Sequence, residues 1–300
     1  MSRAEVVGDV LAGCSPWVRS TRVQEERGLA GEWIDYDHVF TFIQRGRAEF
    51  HFDGSRIRAE AGTVLIMPPG VRHVVRSPPG MAFIQHIVHF DMAYHPQRAA
   101  QRLPGMYRLG ARSGYPLEVS PFAGRLPCAL LPAQAADACR AHFTDLRRLE
   151  GVTGATATCQ RQAALLHLVA LVLEHEDGSR PVPPARPSRS WRSLHRAIEC
   201  ILARFDDPDL DLGAIAHAAD VVPAYLPQLF RSQLGISVRR YLLQVRIRRA
   251  KELLAAGESV TRVAEATGFR GIHAFSRAFR RVVGVPPSAA GEAGRNLHPG

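Results

Sequence analysis

The sequence predicts a multidomain chain, an all-β half followed by an all-α half, and three observations predict it. Short β-branched and aromatic runs alternate with turn signals from about Trp33 to Phe90. Apolar residues recur at three and four residues from Pro132 to about His175 and again beyond Trp191. A stretch rich in Pro, Ser and Arg, residues 177–190, lies between the two helical patterns and reads as a semi-extended tether. A length of 300 residues, 46% hydrophobic and 22% charged, suits about two globular domains and excludes a wholly disordered or fibrous chain.

The β half is read in order. Val39 to Ile43 is a strand ended by Arg45-Gly46, and Ala48 to Phe52 is its neighbour. Asp53-Gly54 then marks a hairpin. Thr63 to Met67 is an apolar strand closed by Pro68-Pro69-Gly70. Arg72 to Arg76 and Ala82 to Phe90 follow, separated by Pro78-Pro79-Gly80. Five or more short strands at this spacing predict a sandwich or small barrel.

Two helices come next. Ala136, Cys139, Phe143 and Leu146 form one apolar stripe, and Leu165, Leu168, Val169 and Val172 form the other, with Gly151 to Gly154 breaking them into a hairpin. Phe143, Leu146, Leu165 and Val169 are the expected anchors of a homodimer contact, the alternative being packing against the β half. The longest apolar stretch, Ala163 to Leu173, is too short for a bilayer span and contains His167. Glu5 and Asp9 near the start and the lack of a basic-then-apolar segment argue against a secretory signal, so a cytoplasmic protein without membrane partners is expected. Five widely spaced cysteines without a CxxC pair predict reduced thiols.

Charge narrows the function. The net charge is +10, carried almost wholly by arginine, with Lys251 the sole lysine. Residues Arg189 to Gly300 hold 17 basic and 10 acidic side chains, and Gln228 to Arg281 hold 12 and 3. Such a concentration suits an anionic partner, although a solvated helix face would carry the same charges.

The same region repeats itself. Leu212, Ile215, Ala216 and Ala219 recur 48 positions later as Val260, Val263, Ala264 and Thr267. After one inserted residue, Leu226, Leu229, Phe230, Arg231 and Gly235 recur as Phe275, Ala278, Phe279, Arg280 and Gly284. Each copy reads as a short helix, a tight turn and a second helix, with Gly268 where the second turn needs positive φ. This is the layout of a helix-turn-helix, whose second helix enters the major groove of double-stranded DNA. Two copies inside a strongly basic segment favour that reading over a helical hairpin packed for its own sake.

Arg246-Ile247-Arg248-Arg249-Ala250-Lys251-Glu252-Leu253-Leu254, Val263-Ala264, Gly268-Phe269, Phe275 through Arg281 and Gly284-Val285-Pro286-Pro287-Ser288 resemble the AraC/XylS-type transcription-regulator signature. The resemblance covers about Trp191 to Ser288. It implies two helix-turn-helix units joined by a long helix, Tyr241 to Leu254, reading adjacent major-groove segments, with activation as the expected outcome and RNA polymerase as a further candidate partner. By position it starts the first recognition helix near Pro223 and places Ala224, Pro227 and Gln228 in the groove. The second helix places Ile272, His273, Ala274 and Arg277 there. Arg231, Arg239, Arg240, Arg280 and Arg281 then fall to the phosphates, and Arg270 joins the DNA-binding set. Pro227 stands where a missing N–H begins to count, so a bent or short first recognition helix is expected.

Gly62, Pro68, Gly70 and His73, with Ser77 following, resemble the second motif of cupins and, with His89-Phe90-Asp91, the sensor of the same regulator family. The implied fold is an N-terminal all-β cupin-like barrel with a helical hairpin, ahead of a C-terminal all-α double helix-turn-helix. The expected parts are residues 1–131 (effector-sensing), 132–176 (hairpin, dimerisation), 177–190 (linker), 191–288 (DNA-binding) and 289–300 (tail). Cupin enzymes add an His-x-His and a Glu from an earlier strand pair; around His38 to His51 this chain has no His-x-His and no correctly placed Glu, so no metal, cofactor or catalytic residue is expected, although thirteen histidines leave room for a metal held at unexpected positions. Arg27, His73, Gln85 and His89 are the candidates for binding a small-molecule effector such as a sugar, polyol or carboxylate. Binding would shift the arm Met1 to Arg27 or the linker. A cupin-type metalloenzyme and a non-specific nucleic-acid-binding protein are the alternatives.

Overall fold

Eight strands fill residues 17–91 of the computed structural model, which describes residues 14–35, 37–52, 55–78, 80–94, 96, 120–122, 125–176, 180–181 and 188–290. They are β1 Trp17–Arg27, β2 Ala30–Trp33, β3 His38–Arg45, β4 Arg47–Phe52, β5 Ser55–Glu60, β6 Thr63–Met67, β7 His73–Arg76 and β8 Ala82–Asp91. Three short strands complete the set: β9 Arg125–Leu126, β10 Cys128–Leu130 and β11 Arg180–Pro181. Their antiparallel pairings make a five-stranded sheet in the order β1-β8-β3-β6-β10, a four-stranded sheet β2-β7-β4-β5, and the pair β11-β9. The expected barrel is therefore a cupin-like two-sheet sandwich, with no closure among the described residues. The turns from β3 to β4 and from β7 to β8 send the chain from one sheet to the other, so each sheet remains its own ladder.

The alternation of side chains across a strand decides what each sheet buries. Val39, Ile43, Leu65, Phe83 and Ile87 of the larger sheet meet Trp33, Phe50, Ile57 and Val75 of the smaller in one core. Their alternates Phe40, Phe42, Val64, Ile66, Val88 and Phe90 face away, under the helices α1 Ala133–Arg148 and α2 Ala155–His175. The larger sheet is thus covered on both sides, which is why β3 and β6 read as unbroken apolar runs.

Three expectations change here. Phe143, Leu146, Leu165 and Val169, expected as dimer anchors, are all buried within the subunit, in one cluster with Phe40, Phe42 and Phe90. The arm Met1 to Arg27 is no free arm over its second half. β1 pairs with β8 from Trp17↔Asp91 to Arg27↔Ala82, and its many charges are those of an edge strand protected against further pairing. The linker is pinned at Arg180-Pro181, which pair with Leu126 and Arg125. The Asp53-Gly54 turn lies outside the described residues; Phe52 and Ser55 pair with each other in the β4-β5 ladder.

The chain divides into two compact units, Met1–Pro187 and Ser188–Gly300. The second contains α3 Arg189–Arg204, α4 Leu212–Ala218, α5 Leu226–Leu234, α6 Val238–Ala255, α7 Val260–Ala266 and α8 Ile272–Val283. Helix starts are fixed locally. Ser188, Asp211, Ser237 and Ser259 each accept a hydrogen bond from a backbone N–H in the first turn of α3, α4, α6 and α7. Ile247, Ala250 and Leu254 of α6 close a core with Val263, Ala264, Phe275 and Phe279 of the second copy. Ile215, Ala216, Ala219, Leu226, Leu229, Phe230 and Leu234 are buried in the first.

Candidate functional site

The two copies, α4-turn-α5 and α7-turn-α8, turn by the same device. The amide of Val221 donates to Ala216 O at 3.1 Å, and that of Phe269 donates to Ala264 O at 3.1 Å. The residue before each of these amides is left-handed: Asp220 with φ 55° in the first copy, Gly268 with φ 71° in the second. Only the second position is also crowded. A Cβ on Gly268 would lie 2.5 Å from Phe205 O and 2.9 Å from the Asp206 carbonyl carbon. That backbone is held by Arg246 of α6, whose Nε donates to Phe205 O at 2.7 Å and whose Nη2 donates to Asp207 O at 2.8 Å. Its guanidinium also stands over the Phe269 ring, so one side chain ties the end of α3 to the turn of the second copy.

The second helix of each copy keeps its phenylalanines inside and its arginines out. On α8, Ile272, His273, Ala274, Arg277, Arg280 and Arg281 are exposed while Phe275, Ala278 and Phe279 are buried. On α5, Gln228 and Arg231 are exposed and Leu226, Leu229 and Phe230 are buried. Arg239 and Arg240 are exposed in the first turn of α6. Two expectations are corrected. α5 starts at Leu226 rather than near Pro223, so Ala224 sits exposed in the turn before it. Pro227 is half-buried in the first turn, where the backbone N–H has no intrahelical acceptor to lose, so it costs the helix no hydrogen bond. The helix is short, nine residues against twelve in α8. Arg270 pairs with Asp209, which takes up part of its charge. Sequence reasoning missed Val222 and Tyr225, both exposed at the head of α5. The repeat register, which sets Tyr225 against Ala274, was the available signal.

In the sandwich, β8 carries Gln85, Ile87, His89 and Asp91 on the face toward the smaller sheet. Gln85 is buried and donates to Gln24 Oε1 at 2.8 Å. His89 Nδ1 lies 3.0 Å from Asp37 Oδ1, and the Arg19 guanidinium joins Asp37 Oδ2 at 3.3 Å to Asp91 Oδ2 at 2.8 Å. Burial pushes the His89 imidazole down, but the Asp37 hydrogen bond and the charges of Asp37 and Asp35 outweigh it and leave it raised. His73 is buried among Trp33, Phe50 and Phe52 with Nδ1 on Val71 O at 3.0 Å, and burial lowers its pKa. Asp35, on the segment before β3, is raised by burial against the opposing pull of His89 and His73. The structure thus brings His73 and His89 toward Asp35, with Gln85 further along the same face. Arg27 is not with them. It is exposed, and its partner Ala82 alternates with His86 and Val88 on the helix-covered face.

Two family models match, an AraC-like ligand binding domain over residues 30–129 and a helix-turn-helix domain over residues 215–292. The chain belongs to the AraC-type family. Among relatives of this AraC-type chain, the HTH-type transcriptional regulator GlxA of Rhizobium meliloti is 31% identical over 121 residues, 38% of this chain and 37% of that protein. The arabinose operon regulatory protein of Salmonella typhimurium is 25% identical over 255 residues, 84% of this chain and 82% of that one. The HTH-type transcriptional activator RhaR of Yersinia pestis is 37% identical over 78 residues, 26% of this chain and 27% of that one. The match thus spans little more than a third of the first relative's length. Among solved structures, an AraC-type regulator from Chromobacterium violaceum is 28% identical at a TM-score of 0.34, covering 37% of this chain and 97% of that one. No helix of the AraC-type chain, among the described residues, is long and apolar enough to cross a membrane.

Proposed function

We propose that this chain is a sequence-specific regulator of transcription, an activator that answers to a small molecule bound in its N-terminal sandwich. The observation that carries the reading is the pair of recognition helices, whose sequences contain no acid and whose exposed faces present Gln228 and Arg231 on α5 and Arg277, Arg280 and Arg281 on α8. Arg277 suits a bidentate bond to guanine and Gln228 one to adenine, whereas Ala224 and Ala274 offer only a methyl contact to thymine. Arg231, Arg239, Arg240, Arg280 and Arg281 take the phosphates, which give affinity and register but no sequence information. Activation is supported by the name of the Yersinia relative. The reading includes no enzymatic step.

The effector reading rests on Gln85, His89 and His73, polar groups in a largely apolar interior, and extends to a sugar, polyol or carboxylate. Arg27 drops out of it. A homodimer is proposed through the outer side of α2, where Ala163, Leu166 and Ala170 are exposed in place of the anchors now buried. Sedimentation across a micromolar concentration series tests this, and a strict monomer at every concentration removes it. RNA polymerase as a partner and the cytoplasm as location complete the proposal.

Selection of bound duplexes from a random pool, at near-physiological salt and beside the Arg277→Ala variant, tests the whole. Two blocks about one helical turn apart, roughly 10 base pairs, are expected, with the block read by α8 degraded in the variant. A pool that enriches no motif, with or without candidate effectors, would favour non-specific binding instead.

A further inference from the structure

Among the described residues, the acids of the sandwich interior do not all form an ion pair. The Arg19 guanidinium is committed to Asp37 and Asp91, and Arg72 pairs with Glu32 at 3.4 Å. The Asp35 carboxylate receives no hydrogen bond and no ion pair from any described residue, although Asp35 is only 7% exposed. It is aimed at Asp37 and His89. One ligand-capable atom from each of the three residues lies within 4.8 Å of the other two. A second acceptor in the same place, Asp37 Oδ2, is buried with no hydrogen bond, only the 3.3 Å approach of Arg19.

We infer that Asp35, Asp37 and His89 hold one divalent transition-metal ion inside the N-terminal sandwich. The donor set selects the class. Two buried carboxylates brought together ask for a compact cation, and an imidazole nitrogen beside them favours Mn²⁺, Fe²⁺, Co²⁺, Ni²⁺ or Zn²⁺ over Mg²⁺ or Ca²⁺. At metal–ligand distances of about 2.0–2.2 Å, two ligands of one ion stand about 3–4 Å apart. The 3.0 Å between His89 Nδ1 and Asp37 Oδ1 already fits that spacing, and small side-chain shifts would bring in the third. Arg19 then acts as the group that orients Asp37 from outside. The set is not the one cupin enzymes use. His73, the residue that resembles a cupin ligand, is enclosed by Trp33, Phe50 and Phe52. The ion would clasp the segment ahead of β3 to β8, and through Arg19 to β1. The inference is independent of the DNA-binding reading.

The test uses the full chain, free of any affinity tag and stripped with a chelator, titrated with Mn²⁺ and Co²⁺ by calorimetry. One equivalent is expected to bind at micromolar or lower concentration, with at least a 30-fold loss of affinity in Asp35→Asn and in His89→Gln. The double variant His142→Ala with His167→Ala, which removes the stacked pair on the helical hairpin, should bind as the wild type does. Binding that is absent at millimolar metal, or that survives Asp35→Asn and disappears in the hairpin variant, overturns the site. Without metal, Asp35→Asn should melt no lower than the wild type, because a neutral amide replaces an unmatched carboxylate. If that variant fails to fold, the wild-type protein decides. Mn²⁺ at substoichiometric levels must broaden the His89 ring signals selectively, and unbroadened signals refute the inference.

Discussion

The two helix-turn-helix copies repeat their frame and differ on their faces. Asp211 and Ser259 cap equivalent helices, and Ala216 and Ala264 accept the same turn hydrogen bond. Leu226 with Phe230 and Phe275 with Phe279 fill equivalent core positions. Outside, Gln228 stands where the second copy has Arg277, Tyr225 where it has Ala274, and Pro227 where it has Ser276. A repeated core needs the same buried shapes twice, while two units proposed to read different DNA segments need two different surfaces. The second copy is also more tightly built in, because Arg246 binds its turn to the end of α3.

The largest effect should come from the turns. Gly268→Ala places a Cβ against Phe205 O in a left-handed backbone, and should destabilise the C-terminal unit by about 2–4 kcal/mol in denaturant melts. A loss near zero would mean that the α3 end yields and that Arg246 is no clamp. Next in size, Arg277→Ala should cost about 1–3 kcal/mol on a selected site and relax one block of its sequence. Gln228→Ala should cost less and relax the other block. An equal loss on random DNA would return Arg277 to the phosphates and leave the copies alike in role.

Smaller effects separate affinity from reading. Arg231→Ala and Arg280→Ala, at equivalent positions, should each weaken binding to all sequences and flatten the salt dependence by about one phosphate contact. A changed motif in either variant would make that arginine a base reader. The smallest change is expected from Asp220→Gly, the counterpart of the crowded glycine. Asp220 is strained at φ 55° but exposed, and relief of strain offsets the added freedom of the unfolded chain, leaving about 1 kcal/mol or less in either direction. Together with Gly268→Ala, it measures how far the two turns differ through their surroundings alone.

Much of the C-terminal unit could be read directly, because helix caps, helical periodicity and the 48- and 49-residue repeat are local signals. The exposed arginines of α5 and α8 followed from the same register. The head of α5 did not. Pro223 looked like a helix start, yet the helix begins at Leu226, and Val222 and Tyr225 came to the surface unannounced. In the sandwich, the apolar strands β3, β6 and β8 were legible from composition. β1 was not, since an edge strand that carries Arg and Glu along its length looks like a polar arm until β8 pairs with it.

The sequence by itself determined the order of the parts, the doubled helix-turn-helix unit and which polar side chains its second helices expose, because each depends on spacing within one element or on a repeat. Tertiary structure decided three things that spacing cannot encode. It turned Phe143, Leu146, Leu165 and Val169 inward, since an apolar stripe does not say which surface will cover it. It sent Arg27 to the outer face and Gln85 and His89 to the inner one, since strand register alone fixes the facing. It gathered Asp35 and Asp37 with His89 of a strand some fifty residues away, since a site built across two elements exists only once the chain has folded.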